Sequence, residues 1–130
     1  MSMKNEELKM KSSGKNFLKD KSFIFSIDII NLYKKLVQNK EFVLSKQMLR
    51  SGTATGALIR EAEFAQSKPD FISKLSISLK EANETRYWLE LLHHTDYIGK
   101  DDFDKYVTQN DALIGMLVAS IKTSKSTLNK

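Results

Sequence analysis

Residues 44–92 read LSKQMLRSGTATGALIREAEFAQSKPDFISKLSISLKEANETRYWLELL, and their periodicity decides the fold. Apolar residues recur at helical spacing on both sides of a single break. Before the break, Phe42, Leu44, Met48, Leu49, Ile59 and Phe64 supply the bulk of a helix predicted over Glu41–Ser67. After it, Phe71, Ile72, Leu75, Leu79, Ala82, Trp88, Leu89 and Leu92 form a wide apolar stripe over Pro69–His94. The break is Lys68-Pro69-Asp70, the one proline of the chain, which suits the first turn of a helix with an acid beside it. At about 26 residues, each of these helices spans about 39 Å. The middle of the first is a run of small residues, Ser51 to Ala57, with two glycines and two threonines. Its intrinsic helix propensity is poor. Tertiary contact must enforce helicity there, so the run is expected to lie against a neighbouring backbone.

Upstream, Ser22 is placed to cap a preceding helix that ends near Asn39, with Phe23, Ile27, Ile30, Leu32, Tyr33 and Leu36 or Val37 on its apolar face. On the other side, Thr95–Lys100 is a loop. Asp101, Asp102 and Asp104 then open a last helix carrying Phe103, Val107, Leu113, Ile114, Leu117 and Ile121, with an end near Ser124. Four helices joined by short loops predict an all-α, antiparallel up-down-up-down bundle over residues 21–124. Residues 1–20 and 125–130 read as flexible basic tails.

The chain of 130 residues, 41% apolar and 28% charged, has the composition of one globular domain. It contains no cysteine, which excludes disulfides, thiol chemistry and thiolate metal sites. The lysine-rich N-terminus has no apolar core of a secretory signal, and no apolar stretch approaches the roughly 20 residues of a membrane span. A soluble, cytoplasmic protein with no membrane partner is expected. The net charge is +5, but residues 21–68 carry +4 and residues 69–121 carry −4, so the excess resides in the tails and the body is polarised along the chain.

No constellation of catalytic or metal-ligating residues emerges. His93 and His94 are adjacent on a helix, so their rings point about 100° apart and do not readily share an ion. They suit a helix C-terminus, where the macrodipole favours them. Glu61, Glu63, Glu81, Glu84 and Glu90 lack the repeated Glu-x-x-His pairs of a carboxylate-bridged dimetal site. Intrahelical pairing of Lys80 with Glu84 and of Arg86 with Glu90 reads better. No glycine-rich phosphate loop and no activated nucleophile is present, so no enzyme, cofactor or small-molecule substrate is predicted. The set that bears on function is Lys46, Arg50 and Arg60, a basic strip suited to phosphates; the competing readings are a solvated face or pairing with acids on the third helix.

A resemblance adds to this. Gln47, Leu49-Arg50-Ser51-Gly52-Thr53, Gly56-Ala57, Ile59 and Glu61-Ala62 match a recognisable pattern. So do Asp70-Phe71, Lys74-Leu75, Ser78-Leu79-Lys80-Glu81-Ala82, Glu84-Thr85 and Tyr87-Trp88-Leu89. Over about the central 50 residues the chain resembles the bacterial four helix bundle protein family, which includes proteins encoded within intervening sequences of large-subunit ribosomal RNA genes. More distantly it is similar to the accessory variability determinant proteins of diversity-generating retroelements. It departs from the family pattern at Ala54, Thr55 and Leu58, where Ser, Ile and Asn are usual. The resemblance implies a non-enzymatic protomer that assembles into a ring-like homopentamer and associates with structured RNA or a ribonucleoprotein. The charge polarity along the chain gives a second reason to expect head-to-tail self-association. Tyr33, Phe64, Tyr87 and Trp88 are the candidate apolar anchors of the contact. The alternative is a protein-interaction scaffold with no nucleic-acid role.

Overall fold

The computed structural model describes residues 17–128. They form four helices: α1 (Phe17–Gln38), α2 (Leu44–Ala62), α3 (Lys68–His94) and α4 (Lys100–Leu128). Connections of five residues each leave consecutive helices no option but to fold back on one another. Side chains record the antiparallel register. Lys19 near the start of α1 pairs with Glu63 just past the end of α2, at 3.2 Å. Lys68 Nζ at the start of α3 donates to Thr127 Oγ1 near the end of α4, at 2.6 Å. Packing runs α1–α2, α2–α3, α3–α4 and α4–α1 around the bundle, closest between α2 and α3 and sparsest between α1 and α4. That loose seam leaves a groove of about 750 Å³ with Phe17, Ile24, Leu113 and Met116 in its lining.

The core has two apolar clusters. One gathers Phe25, Leu32, Met48, Leu89 and Tyr106, the other Ile59, Leu75, Ala82 and Leu117. Small buried polar residues lie among them and tie helix to helix. Ser78 Oγ donates to the Thr55 carbonyl at 2.8 Å, Thr85 Oγ1 lies 2.8 Å from Ser51 Oγ, and Asn110 Nδ2 donates to the Ala82 carbonyl at 2.9 Å. Such bonds satisfy groups that would otherwise be costly to bury. The small-residue run therefore packs on two neighbours at once. Ser51 and Thr55 face α3, while the glycines face α1. A Cβ on Gly52 would meet Ile29 Cγ2 at 3.0 Å, and one on Gly56 would meet the Ser22 carbonyl oxygen and Ser26 Oγ at 3.3 Å. The expected close backbone contact is present.

Helix ends differ from the sequence expectation in instructive ways. α1 is already helical at Phe17, so Ser22 is no cap: it lies buried inside the helix, its hydroxyl donating to the Lys19 carbonyl at 3.0 Å. The buried face of α1 is Ile24, Phe25, Ile29, Leu32 and Leu36, with Ile30 exposed, a rotation away from the Phe23–Ile27–Ile30 face. α2 is shorter than expected at 19 residues, because Glu41 caps it from outside and the chain turns after Ala62. Phe42 and Phe64 consequently fall outside the helix and stand exposed. α3 has Pro69 in its first turn, as expected, and Ser67 caps it, the Ser67 hydroxyl accepting from the Asp70 N–H at 3.1 Å. α4 continues through Leu128, beyond Ser124 and into the stretch expected as a tail. Of the expected N-terminal tail, residues 1–16 lie outside the described residues.

Candidate nucleic-acid interface

The three bases singled out on α2 meet different fates. Arg50 reaches across to α3, where its guanidinium donates to Glu81 Oε2 at 2.8 Å and is also paired with Glu84. The Glu84 carboxylate, bonded by the Trp88 indole N–H and by Arg50, is held below the usual carboxylate range. Arg50 is correspondingly raised, first by Glu84 and then by Glu81. Of the competing readings for Arg50, pairing with acids on the third helix is the one its geometry realises. Arg60 lies over the Phe23 ring, 5.5 Å from the centroid, so it works as a cation–π link between α2 and α1. Lys46 is exposed in the first turn of α2 and forms no ion pair among the described residues. One freely available cation thus remains of the three.

The suspected metal groups are engaged as well. Glu61 pairs with Lys74, Glu63 with Lys19, Glu81 and Glu84 with Arg50, and Glu90 with Arg86. The Arg86–Glu90 pair expected within α3 forms, at 3.2 Å, and Arg86 also binds Asp111 on α4. The Lys80–Glu84 pair does not form, because Arg50 and Trp88 occupy Glu84. His93 stacks on Phe103 with centroids 4.4 Å apart, and its Nδ1 lies 3.1 Å from the Ile98 carbonyl oxygen. This is an imidazole finishing a helix end. Among the described residues, no group of three or more His, Asp or Glu is placed to hold a metal ion. No described helix is long and apolar enough to cross a membrane.

The four aromatic anchor candidates divide in two. Tyr33 and Trp88 are partly buried against the core, Trp88 fixed by its bond to Glu84. Phe64 and Tyr87 are 79% and 55% exposed and present apolar surface outward. Tyr87 meets Trp88 edge-on at 5.1 Å.

The connection from α1 to α2 carries more open chemistry than sequence reasoning assigned to it. α1 ends with Lys40 in the left-handed region, φ 65°. The Glu41 N–H closes on the Leu36 carbonyl and the Lys40 N–H on the Val37 carbonyl, both at 2.9 Å, the paired bonds of a Schellman stop. Glu41 then turns its carboxylate onto the start of α2, accepting from the N–H groups of Val43, Leu44 and Ser45 at 3.1, 2.8 and 2.7 Å. Burial alone would raise the Glu41 carboxyl, but these bonds and the Ser45 hydroxyl outweigh it and hold the group below its ordinary value. The available signal was a Glu just ahead of an apolar run, with Ser45 four residues on to bond back to the Glu41 carbonyl at 2.8 Å.

Comparisons with known proteins agree with this geometry. Residues 15–119 match the family of 23S rRNA-intervening sequence proteins. A crystal structure of a protein of unknown function from the S23 ribosomal protein family of Bacteroides thetaiotaomicron superposes with a TM-score of 0.80. The two share 56% sequence identity, over 81% of this chain and 98% of that one. No curated protein matches the chain.

Proposed function

The chain belongs to the family of 23S rRNA-intervening sequence proteins, and we propose that it is a non-enzymatic helical bundle that assembles with copies of itself and associates with structured RNA or a ribonucleoprotein in the cytoplasm. The observation that supports this reading is the family match across residues 15–119, to a family named for 23S rRNA intervening sequences. Two features of the molecule support it. The glutamates considered as metal ligands are engaged in ion pairs and His93 closes a helix end, which favours a surface of contact over one of turnover. Its basic half, residues 21–68, retains uncompensated lysines that suit phosphates.

Self-assembly rests on Phe64 and Tyr87, which expose apolar surface that a neighbouring copy would cover. A ring of five is the assembly that the family resemblance implies, with one copy's basic half set beside the next one's acidic half. Light scattering tests this: a ring of five weighs five times the 14.9 kDa chain, and a monomer at tens of micromolar rejects it. Titration of a ribosomal RNA hairpin at several salt concentrations tests the partner. Binding that weakens steeply with salt is expected, and its absence at low salt rejects RNA as the partner.

A further inference from the structure

A run of lysines without ion pairs lies at the α1–α2 tip. Lys34 and Lys35 lie within the last five residues of α1, Lys40 in the connection, and Lys46 is the third residue of α2. None forms an ion pair among the described residues. At 1.5 Å per helical residue, all four fall within about 6 Å of the hairpin tip along the bundle axis. Glu41 is the one acid between Lys34 and Lys46, and its carboxylate is directed onto the α2 backbone, not toward the lysines.

In the midst of these cations stand Phe42 and Val43, 58% and 72% exposed. Neither belongs to the core clusters. The segment that displays them is not slack, because the Schellman bonds grip it on one side and the Glu41 cap on the other. It is a preorganised platform, so little ordering cost attends binding.

An open aromatic ring flanked by uncompensated lysines is the pairing that single-stranded nucleic acid takes. A splayed base stacks on the ring while the cations follow the backbone. A duplex keeps its base faces stacked internally and would leave the ring idle. A membrane surface calls for a long apolar helix face, whereas two residues at a turn provide little to insert.

We propose that the α1–α2 tip binds unpaired RNA, with Phe42 stacking on a base and Lys34, Lys35, Lys40 and Lys46 taking the flanking phosphates. This rests on the RNA reading above and adds where the RNA lies and which of its features is read.

The test is fluorescence anisotropy with the full chain and three probes of equal length: an unpaired oligoribonucleotide, a hairpin with an open loop, and a perfect duplex. Vesicles containing anionic lipid form a fourth arm. Thermal melts and sedimentation accompany each variant. The wild type should bind the unpaired and looped probes more tightly than the duplex. Phe42→Ala should weaken them about five- to a hundredfold with the melt unchanged. Phe42→Trp should keep the affinity, and its added emission over that of Trp88 should be quenched by the unpaired probe. Neutralising all four lysines to Gln should flatten the salt dependence of binding by a slope of about three.

Four outcomes overturn the proposal. If the wild type binds RNA while the Phe42 and lysine variants behave alike with it, the surface is wrong and the RNA reading stands. If no RNA probe binds, both fall. If vesicles bind and RNA does not, the tip belongs to a membrane. If the tip variants change the sedimenting mass and leave RNA affinity intact, the tip is a contact between copies.

Discussion

The two hairpins of the bundle stop their first helix by the same device and then diverge. At the end of α1, Lys40 enters the left-handed region; at the end of α3, Asp96 does so, with φ 68°. Each is followed by the same pair of closing bonds, Glu41 to Leu36 and Lys40 to Val37 in one, Tyr97 to Leu92 and Asp96 to His93 in the other. Beyond that point, the first hairpin buries an acid, Glu41, and exposes lysines with Phe42 and Val43. The second buries an apolar residue, Ile98, and exposes Asp96, Asp101 and Asp104. Helix geometry dictates the turn, and the residues left over are free to differ. Backbone constraint and surface chemistry are thus separable at these tips, and the surface chemistry is where the two halves carry opposite charge.

The two halves of the molecule differ most in the helices that follow the tips. α2 carries Gly56 against the Ser22 carbonyl, whereas α4 carries Gly115 with nothing within 4 Å of a would-be Cβ. Gly56→Leu should destabilise by about 1–3 kcal/mol or more through overpacking, and Gly115→Leu should fall within about 0.5 kcal/mol of the wild type. Denaturant melts of the two variants decide it, and equal effects would mean that α1 does not depend on the glycine seam.

Next in size is the buried cap. Glu41→Ala leaves three N–H groups around the start of α2 without their acceptor and should cost about 1–3 kcal/mol, against about 0.3–1 kcal/mol for Asp101→Asn at the open start of α4. The pH dependence has a definite sign. The Glu41 carboxyl is lowered in the folded state from an ordinary 4.5, so its contribution is full above that value and is lost as pH falls through the folded-state value. An acid titration of stability should therefore be shallower in Glu41→Ala than in the wild type below pH 4.5.

A smaller effect of opposite sign sharpens what the tips share. Lys40→Gly and Asp96→Gly should each stabilise by up to about 1 kcal/mol, since glycine adopts the left-handed conformation without the Cβ penalty. Loss of stability in either would show that the side chain contributes something the turn needs. Arg50→Ala should cost only about 0–1 kcal/mol, because half of its side chain is exposed to solvent.

What was legible in the sequence follows the same division. The helices of residues 44–92 were legible because the apolar spacing is clean and Pro69 punctuates it. The buried face of α1 was not, because Phe23-Ile24-Phe25 and Ile29-Ile30 present apolar residues on adjacent faces. Gly52 and Gly56 settle it by admitting Ile29 and Ser22. Phe42 reads as helix bulk because nothing in its apolar character says that Glu41 starts the helix after it. The stops at Lys40 and Asp96 lack the glycine that normally marks them. The engagement of Arg50 with Glu81 and Glu84 needs the register between α2 and α3, which no local pattern carries, although pairing with the third helix was one reading of that strip.

The basic hairpin tip is the proposed RNA surface, and amide hydrogen exchange with and without an unpaired oligoribonucleotide tests it most directly. The N–H groups of Lys40, Glu41, Leu44 and Ser45 already bond within the tip, so their exchange reports any further fastening of it. Slowed exchange confined to residues 34–47 on adding RNA is the predicted result. Slowing at residues 93–104 instead, or none anywhere with RNA bound, would contradict it.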